Sequence, residues 1–182
     1  MVETRRLKSK VCLVGEKAVG KTSLIRRFVV NEFDDKYITT IGTKVSKKEL
    51  EFEGKDVNIQ LDLTVWDIMG EKGFRELLKD AYFYGANGVL AVADLTRKKT
   101  LVDLDDWVDS TIKEAGKVPI MIALNKVDLE DKAEFGDKEA AEIAKAFEAP
   151  FMYASAKTGE GVQEAFEALG RMVIESQLGI IL

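Results

Sequence analysis

Apolar residues recur along the chain in two rhythms, one tight and one helical. Val11-Cys12-Leu13-Val14 is a short buried-strand run ending at Gly15, and Leu24, Ile25 and Phe28 then recur at helical spacing. The prediction is strand, loop, helix. Val45 to Phe52 and Val57 to Val65 alternate in part about Glu53-Gly54-Lys55-Asp56, which reads as a β-hairpin with glycine in its turn and gives an antiparallel edge strand. Val89 to Ala93, Ile120 to Leu124 and Phe151 to Ala154 are short apolar runs separated by helical patterns near Leu101 to Ala115 and Asp137 to Phe147. A last helix is expected about Val162 to Gln177. Strands alternating with helices predict an α/β fold. The carboxyl ends of parallel strands line one edge of a sheet, where ligands bind, so Gly15, Asp94, Asn125 and Ser155 are expected to gather there.

The 182 residues suit one compact domain, residues 1–182, and no repeat, linker or low-complexity stretch divides it. Apolar residues are 46% and charged residues 32%, an ordinary soluble balance that argues against disorder. A net charge of −5 disfavours a phosphate-backbone face, so nucleic acid is not the expected partner. Cys12 is the one cysteine, which fits a reducing compartment, and the chain has no histidine, so other groups must carry any proton transfer. No run approaches membrane-spanning length and the first residues lack a signal peptide's apolar stretch. A cytoplasmic location is expected. The end, Gly179-Ile180-Ile181-Leu182, has no cysteine for a lipid anchor, so membrane work would run through a partner.

Gly15-Glu16-Lys17-Ala18-Val19-Gly20-Lys21-Thr22 satisfies the P-loop pattern between a predicted strand and a predicted helix. The glycines let successive N–H groups point at phosphate oxygens, and the helix N-terminus adds positive potential. The cradle is expected over Gly15, Lys17, Ala18, Val19, Gly20, Lys21, Thr22 and Ser23, with Lys21 on the outer phosphates and the Thr22 hydroxyl on a phosphate-bound Mg2+. Val65-Trp66-Asp67 ends a strand in a carboxylate, as a Walker-B-type aspartate does when it holds magnesium. An Asp there also serves turns and helix caps, and only the company of Lys21 and Thr22 points to metal. Asn125-Lys126-Val127-Asp128 follows another strand, and a carboxylate there can accept from the two adjacent donors of a guanine edge that adenine lacks. Ser155-Ala156-Lys157 follows the last strand and gains meaning from its order.

The order of these motifs resembles that of Ras-like small GTPases over nearly the whole chain, with the Rab branch most similar. Tyr37-Ile38-Thr39-Thr40-Ile41-Gly42 resembles the Rab first switch. Phe74-Arg75-Glu76 through Tyr82-Phe83-Tyr84-Gly85-Ala86 resembles the region after the second switch. The resemblance implies a P-loop fold with a mostly parallel six-stranded sheet, one antiparallel edge strand and about five flanking helices. It implies GTP or GDP with Mg2+, protein effectors and regulators, and a switch that hydrolyses GTP. By resemblance, Tyr37 belongs to the nucleotide site, Thr40 binds magnesium with Thr22 and Asp67, and Phe33 packs across guanine. Gly70 gives its N–H to the outer phosphate, Asn125, Lys126 and Asp128 hold the base, and Ser155, Ala156 and Lys157 line it. Read from the residues alone, Phe33 is a core aromatic and Thr40 a turn residue.

Two departures bear on rate. Trp66-Asp67-Ile68-Met69-Gly70-Glu71 carries glutamate where the family orients water with glutamine, and an ionised carboxylate accepts hydrogen bonds without donating. Lys17 stands where the family often has a small residue. Lys17 and Glu71 either approach each other over the outer phosphate or are two unrelated surface charges. The catalytic group is read as Lys21, Gly70 and Glu71. The alternatives are thus a slow GTPase switch, a GTP- or GDP-held interaction module with little turnover, and, disfavoured by Asp128, an ATP-using kinase.

Overall fold

A computed structural model describes residues 2–34, 36, 42–68 and 72–182. Its strands are β1 (Glu3–Val14), β2 (Thr43–Phe52), β3 (Val57–Ile68), β4 (Gly88–Asp94), β5 (Ile120–Asn125) and β6 (Phe151–Tyr153). They form one sheet in the order β2-β3-β1-β4-β5-β6. Helices α1 (Lys21–Val30), α2 (Lys72–Phe83), α3 (Lys98–Val102), α4 (Leu104–Ala115), α5 (Asp137–Ala146) and α6 (Val162–Leu178) cover its faces, with a short 3-10 helix at Val127–Lys132. Every pairing is parallel except that of β2 with β3, so the hairpin about Gly54 supplies the antiparallel edge as expected.

Burial explains which strands were easy to read. Every residue of β4 and β5 is buried, because helices cover both faces of the central parallel strands and the runs become continuously apolar. β3, second from the edge between β2 and β1, alternates instead. One core packs α1 and α6 on the sheet and includes Leu13, Phe28, Leu63 and Phe166, the two rings stacking 4.0 Å apart. The other packs α2 to α5 on the opposite face around Cys12, Phe83, Trp107 and Leu124. No helix of the described residues is long and apolar enough to cross a membrane.

Two elements differ from the sequence reading. β1 begins at Glu3, well before its apolar run, because Glu3 to Leu13 pair with β3 while only Val11 to Val14 also pair with β4. The upstream half is therefore polar and flanked on one side only among the described residues. Asn87 closes the junction: its side-chain oxygen accepts from the Lys10 N–H at 2.8 Å and its own N–H donates to the Lys10 carbonyl at 2.7 Å. The helix expected from Leu101 to Ala115 starts earlier and divides at Asp103, which ends α3 and precedes α4, so six α-helices are described rather than about five.

Candidate nucleotide site

The loop between β1 and α1 is held by its carbonyls. Lys21 Nζ donates to the carbonyls of Gly15 at 2.7 Å and Glu16 at 3.0 Å. Arg97 Nη2 donates to the Lys17 carbonyl at 2.9 Å, Lys126 Nζ to that of Ala18 at 3.1 Å, and Asn125 Nδ2 to that of Val19 at 2.9 Å. The C=O and N–H of one planar peptide point in opposite directions, so tying the carbonyls of 15–19 turns the following N–H groups the other way. Together with the N–H groups of the first turn of α1, they form a concavity suited to an anion. Two glycines make this path possible. At Gly15 (φ 144°) a Cβ would sit 2.3 Å from the Val92 carbonyl oxygen, and at Gly20 (φ 101°) 2.3 Å from Asn125 Nδ2. Ala18 tolerates a left-handed φ of 62° in the same loop.

Burial dominates the electrostatics of Lys21, which is 7% exposed. Loss of solvent pushes its ammonium down to about 8, against the opposing pull of Asp67 and Glu16. A buried cation whose acceptors are neutral carbonyls gains strongly from a phosphate. Thr22 follows on α1, and its hydroxyl donates to Asp67 Oδ2 at 2.5 Å. Asp67 is buried near the end of β3 and registers with Leu13 of β1, which brings strand end and loop together. No group of three or more His, Cys, Asp or Glu among the described residues could hold a metal alone. One hydroxyl and one carboxylate fit Mg2+, a hard cation that draws its remaining oxygens from phosphate and water.

The base-side residues converge from three elements. Asn125 ends β5 opposite Asp94 of β4, is 2% exposed, and accepts from the Ala156 N–H at 3.1 Å while donating to Val19. Lys126 takes a left-handed φ of 72° and also reaches Asp94 Oδ2 at 2.7 Å. Asp128 Oδ1 accepts from the Ser155 hydroxyl at 2.6 Å, and Ser155 Oγ in turn accepts from the Thr158 N–H at 3.0 Å. The expected gathering of Gly15, Asp94, Asn125 and Ser155 at one sheet edge is what the structure has. Lys157 is exposed, Ser23 is half-buried on α1, and Phe33 is half-buried against the core under α1 and α6. Tyr37, Thr40, Gly70 and Glu71 lie outside the described residues.

Three anchors escaped the sequence reading. Arg27 of α1 donates to the carbonyls of Ala156 at 2.8 Å and Lys157 at 2.6 Å. Arg97, just beyond β4, donates to the Lys17 carbonyl. Trp107 is fully buried in the core, yet its indole N–H donates to Glu16 Oε1 at 3.0 Å. Only Arg97 had a legible signal, its spacing three residues beyond the strand-terminal Asp94.

A carbonyl-pinned glycine loop leading into a helix at the carboxyl edge of a parallel sheet, with Lys21, Thr22 and Asp67 around it, defines a P-loop nucleotide-binding fold. The model of the Ras family matches residues 10–175. The chain is 35% identical over 167 residues to the Ras-related protein Rab-13 of Rattus norvegicus, covering 91% of this chain and 79% of that one. It is 36% identical over 168 residues to the Ras-related protein Rab-21 of Bos taurus, covering 92% and 73%. The chain belongs to the Ras family, on its Rab branch, and is a small GTP-binding switch protein with the general GTPase character of that family.

Proposed function

We propose that residues 1–182 form one G domain that binds GTP or GDP with Mg2+, hydrolyses GTP slowly, and reports the bound nucleotide through the segments around Thr40 and Gly70. The observation that carries the reading is the set of five successive loop carbonyls tied to Lys21, Arg97, Lys126 and Asn125. The loop N–H groups then take the phosphates, Lys21 neutralises charge on the outer ones, and Asp128 accepts from the two donors of the guanine edge. Asn125 fixes the base loop to the phosphate loop, and Ser155, Ala156 and Lys157 line the base. Thr22, Asp67 and Thr40 would hold magnesium, which would supply charge neutralisation for phosphoryl transfer. Thr40 and Gly70 meet the outer phosphate only while it is present, which makes partner binding depend on nucleotide state. Partners are protein effectors and regulators, and a cytoplasmic location agrees with this role.

The second reading is a GTP-held interaction module, favoured by Glu71 in place of glutamine. Single-turnover hydrolysis of GTP by nucleotide-free protein with magnesium separates the two, run on the natural chain, Glu71→Gln and Lys17→Gly. Phosphate release by the natural chain supports the slow switch. GTP that persists until Glu71→Gln restores cleavage supports the module.

A further inference from the structure

Asp94 is 1% exposed and has both oxygens engaged. Oδ1 accepts from the Thr96 N–H at 2.9 Å and the Thr96 hydroxyl at 2.7 Å. Oδ2 accepts from Arg97 Nε at 3.0 Å and pairs with Lys126 Nζ at 2.7 Å. Those two cations continue into the phosphate loop at adjacent residues, Arg97 to the Lys17 carbonyl at 2.9 Å and Lys126 to the Ala18 carbonyl at 3.1 Å. The turn that presents Arg97 is itself fixed: its N–H donates to the Asp94 carbonyl at 2.9 Å, and the buried Thr100 hydroxyl donates to the Arg97 carbonyl at 2.7 Å and accepts from the Asp94 N–H at 2.8 Å. A guanidinium suits this task because its planar fork serves a carboxylate and a carbonyl at once, which a single ammonium does less well.

We propose that Arg97 is a positioning residue for the phosphate loop, and that Asp94 joins it to Lys126 so that the phosphate loop and the base loop grip a guanosine diphosphate as one unit. The inference rests on the proposed nucleotide site. The effect of Arg97 passes through the peptide at Lys17. Loss of Arg97 removes one tie on that peptide and takes one of its two cations off Asp94, so both loops loosen together.

The test is release of a fluorescent GDP analogue from protein loaded with it and magnesium, for the natural chain, Arg97→Ala, Arg97→Lys, Lys126→Ala and the double variant Arg97→Ala/Lys126→Ala. Phosphorus NMR of bound GDP and thermal unfolding of the nucleotide-free forms accompany it. Expected are release about tenfold faster for Arg97→Ala, partial recovery in Arg97→Lys, and a displaced β-phosphate resonance. The double variant is expected to release more slowly than the product of the single effects, because both act through one carboxylate. Unchanged release in Arg97→Ala, or multiplicative effects in the double variant, overturns the inference while leaving the nucleotide site intact. So does faster release matched by an equal loss of nucleotide-free stability with an unmoved β-phosphate resonance, which marks Arg97 as merely structural. If the natural chain binds no GDP analogue, it is the nucleotide-site reading that fails.

Discussion

The phosphate loop and the base loop lie at the same sheet edge and are built on opposite principles. In the phosphate loop the main chain is the recognising surface, and side chains from α1, β5 and the segments that follow β4 and β5 hold it in shape. Its own Lys17 and Ala18 are exposed, so side-chain identity there is weakly constrained by packing. In the base loop the side chains recognise, and Asn125, Asp128 and Ser155 already share hydrogen bonds that fix their orientation. Phosphates look alike on every nucleotide, which main-chain donors serve well, whereas telling guanine from adenine takes a particular acceptor in a particular place.

Substitutions that strike one region and spare the other would break or sharpen this contrast. The largest effect is expected at Lys21: Lys21→Ala should weaken GDP by a hundredfold or more, about 3 kcal/mol, as loss of a buried charge partner does. The nucleotide-free protein should change little in stability, since relief of a buried ammonium offsets loss of its hydrogen bonds to the Gly15 and Glu16 carbonyls, and titration with a fluorescent GDP analogue beside urea unfolding reads both. Next comes Asp128→Asn, for which GDP affinity should fall roughly a hundredfold while a 2-oxo purine nucleotide, offering an acceptor in place of the amino group, gains in relative terms. Competition between the two nucleotides checks it, and an equal loss for both would contradict a side-chain reader. Gly20→Ala should cost about 2 kcal/mol of nucleotide-free stability, because the residue is left-handed and its Cβ would displace Asn125 Nδ2, which lies 2.3 Å from that position.

The smallest effect is a pH dependence at Asp94. Burial pushes its carboxyl up, but hydrogen bonds from Lys126, Thr96 and Arg97 prevail and hold it below the ordinary 3.8. A depressed folded value means stability that is fully present above the unfolded value and is lost as pH falls through the folded one. The gap in unfolding free energy from urea titration between the natural chain and Asp94→Asn, about 2 kcal/mol, should stay flat from neutral pH to about 5 and shrink below about 4.

Much of this was legible before any coordinates. The central strands declared themselves because burial on both faces makes β4 and β5 continuously apolar, and the hairpin declared itself through alternation about Gly54. The P-loop and Asn125-Lys126-Val127-Asp128 were legible because their chemistry demands fixed residue types at fixed spacing. The polar half of β1 was not, since a strand flanked on one side by its neighbour carries no apolar run. Arg27, Arg97 and the Trp107 indole were missed for a different reason. The two arginines act on distant backbone carbonyls, and a carbonyl is the same whatever residue bears it, while the indole N–H reaches a Glu16 carboxylate far away in the chain, so no local pattern marks these contacts. Tyr37, Thr40, Gly70 and Glu71 rest on resemblance to the Ras family.

The one-sided stretch of β1 has a consequence for how these molecules behave together. A row of backbone groups without a neighbouring strand is a template for another copy of the chain, and crowding would turn it into the seed of a stacked assembly. Here that row carries Arg5, Arg6, Lys8 and Lys10, and Asn87 ends it on the side where the sheet resumes. A second copy laid alongside would bring several of these basic side chains close together. Charge at this flank works against such pairing, and a change of those basic residues to valine or threonine would remove that restraint.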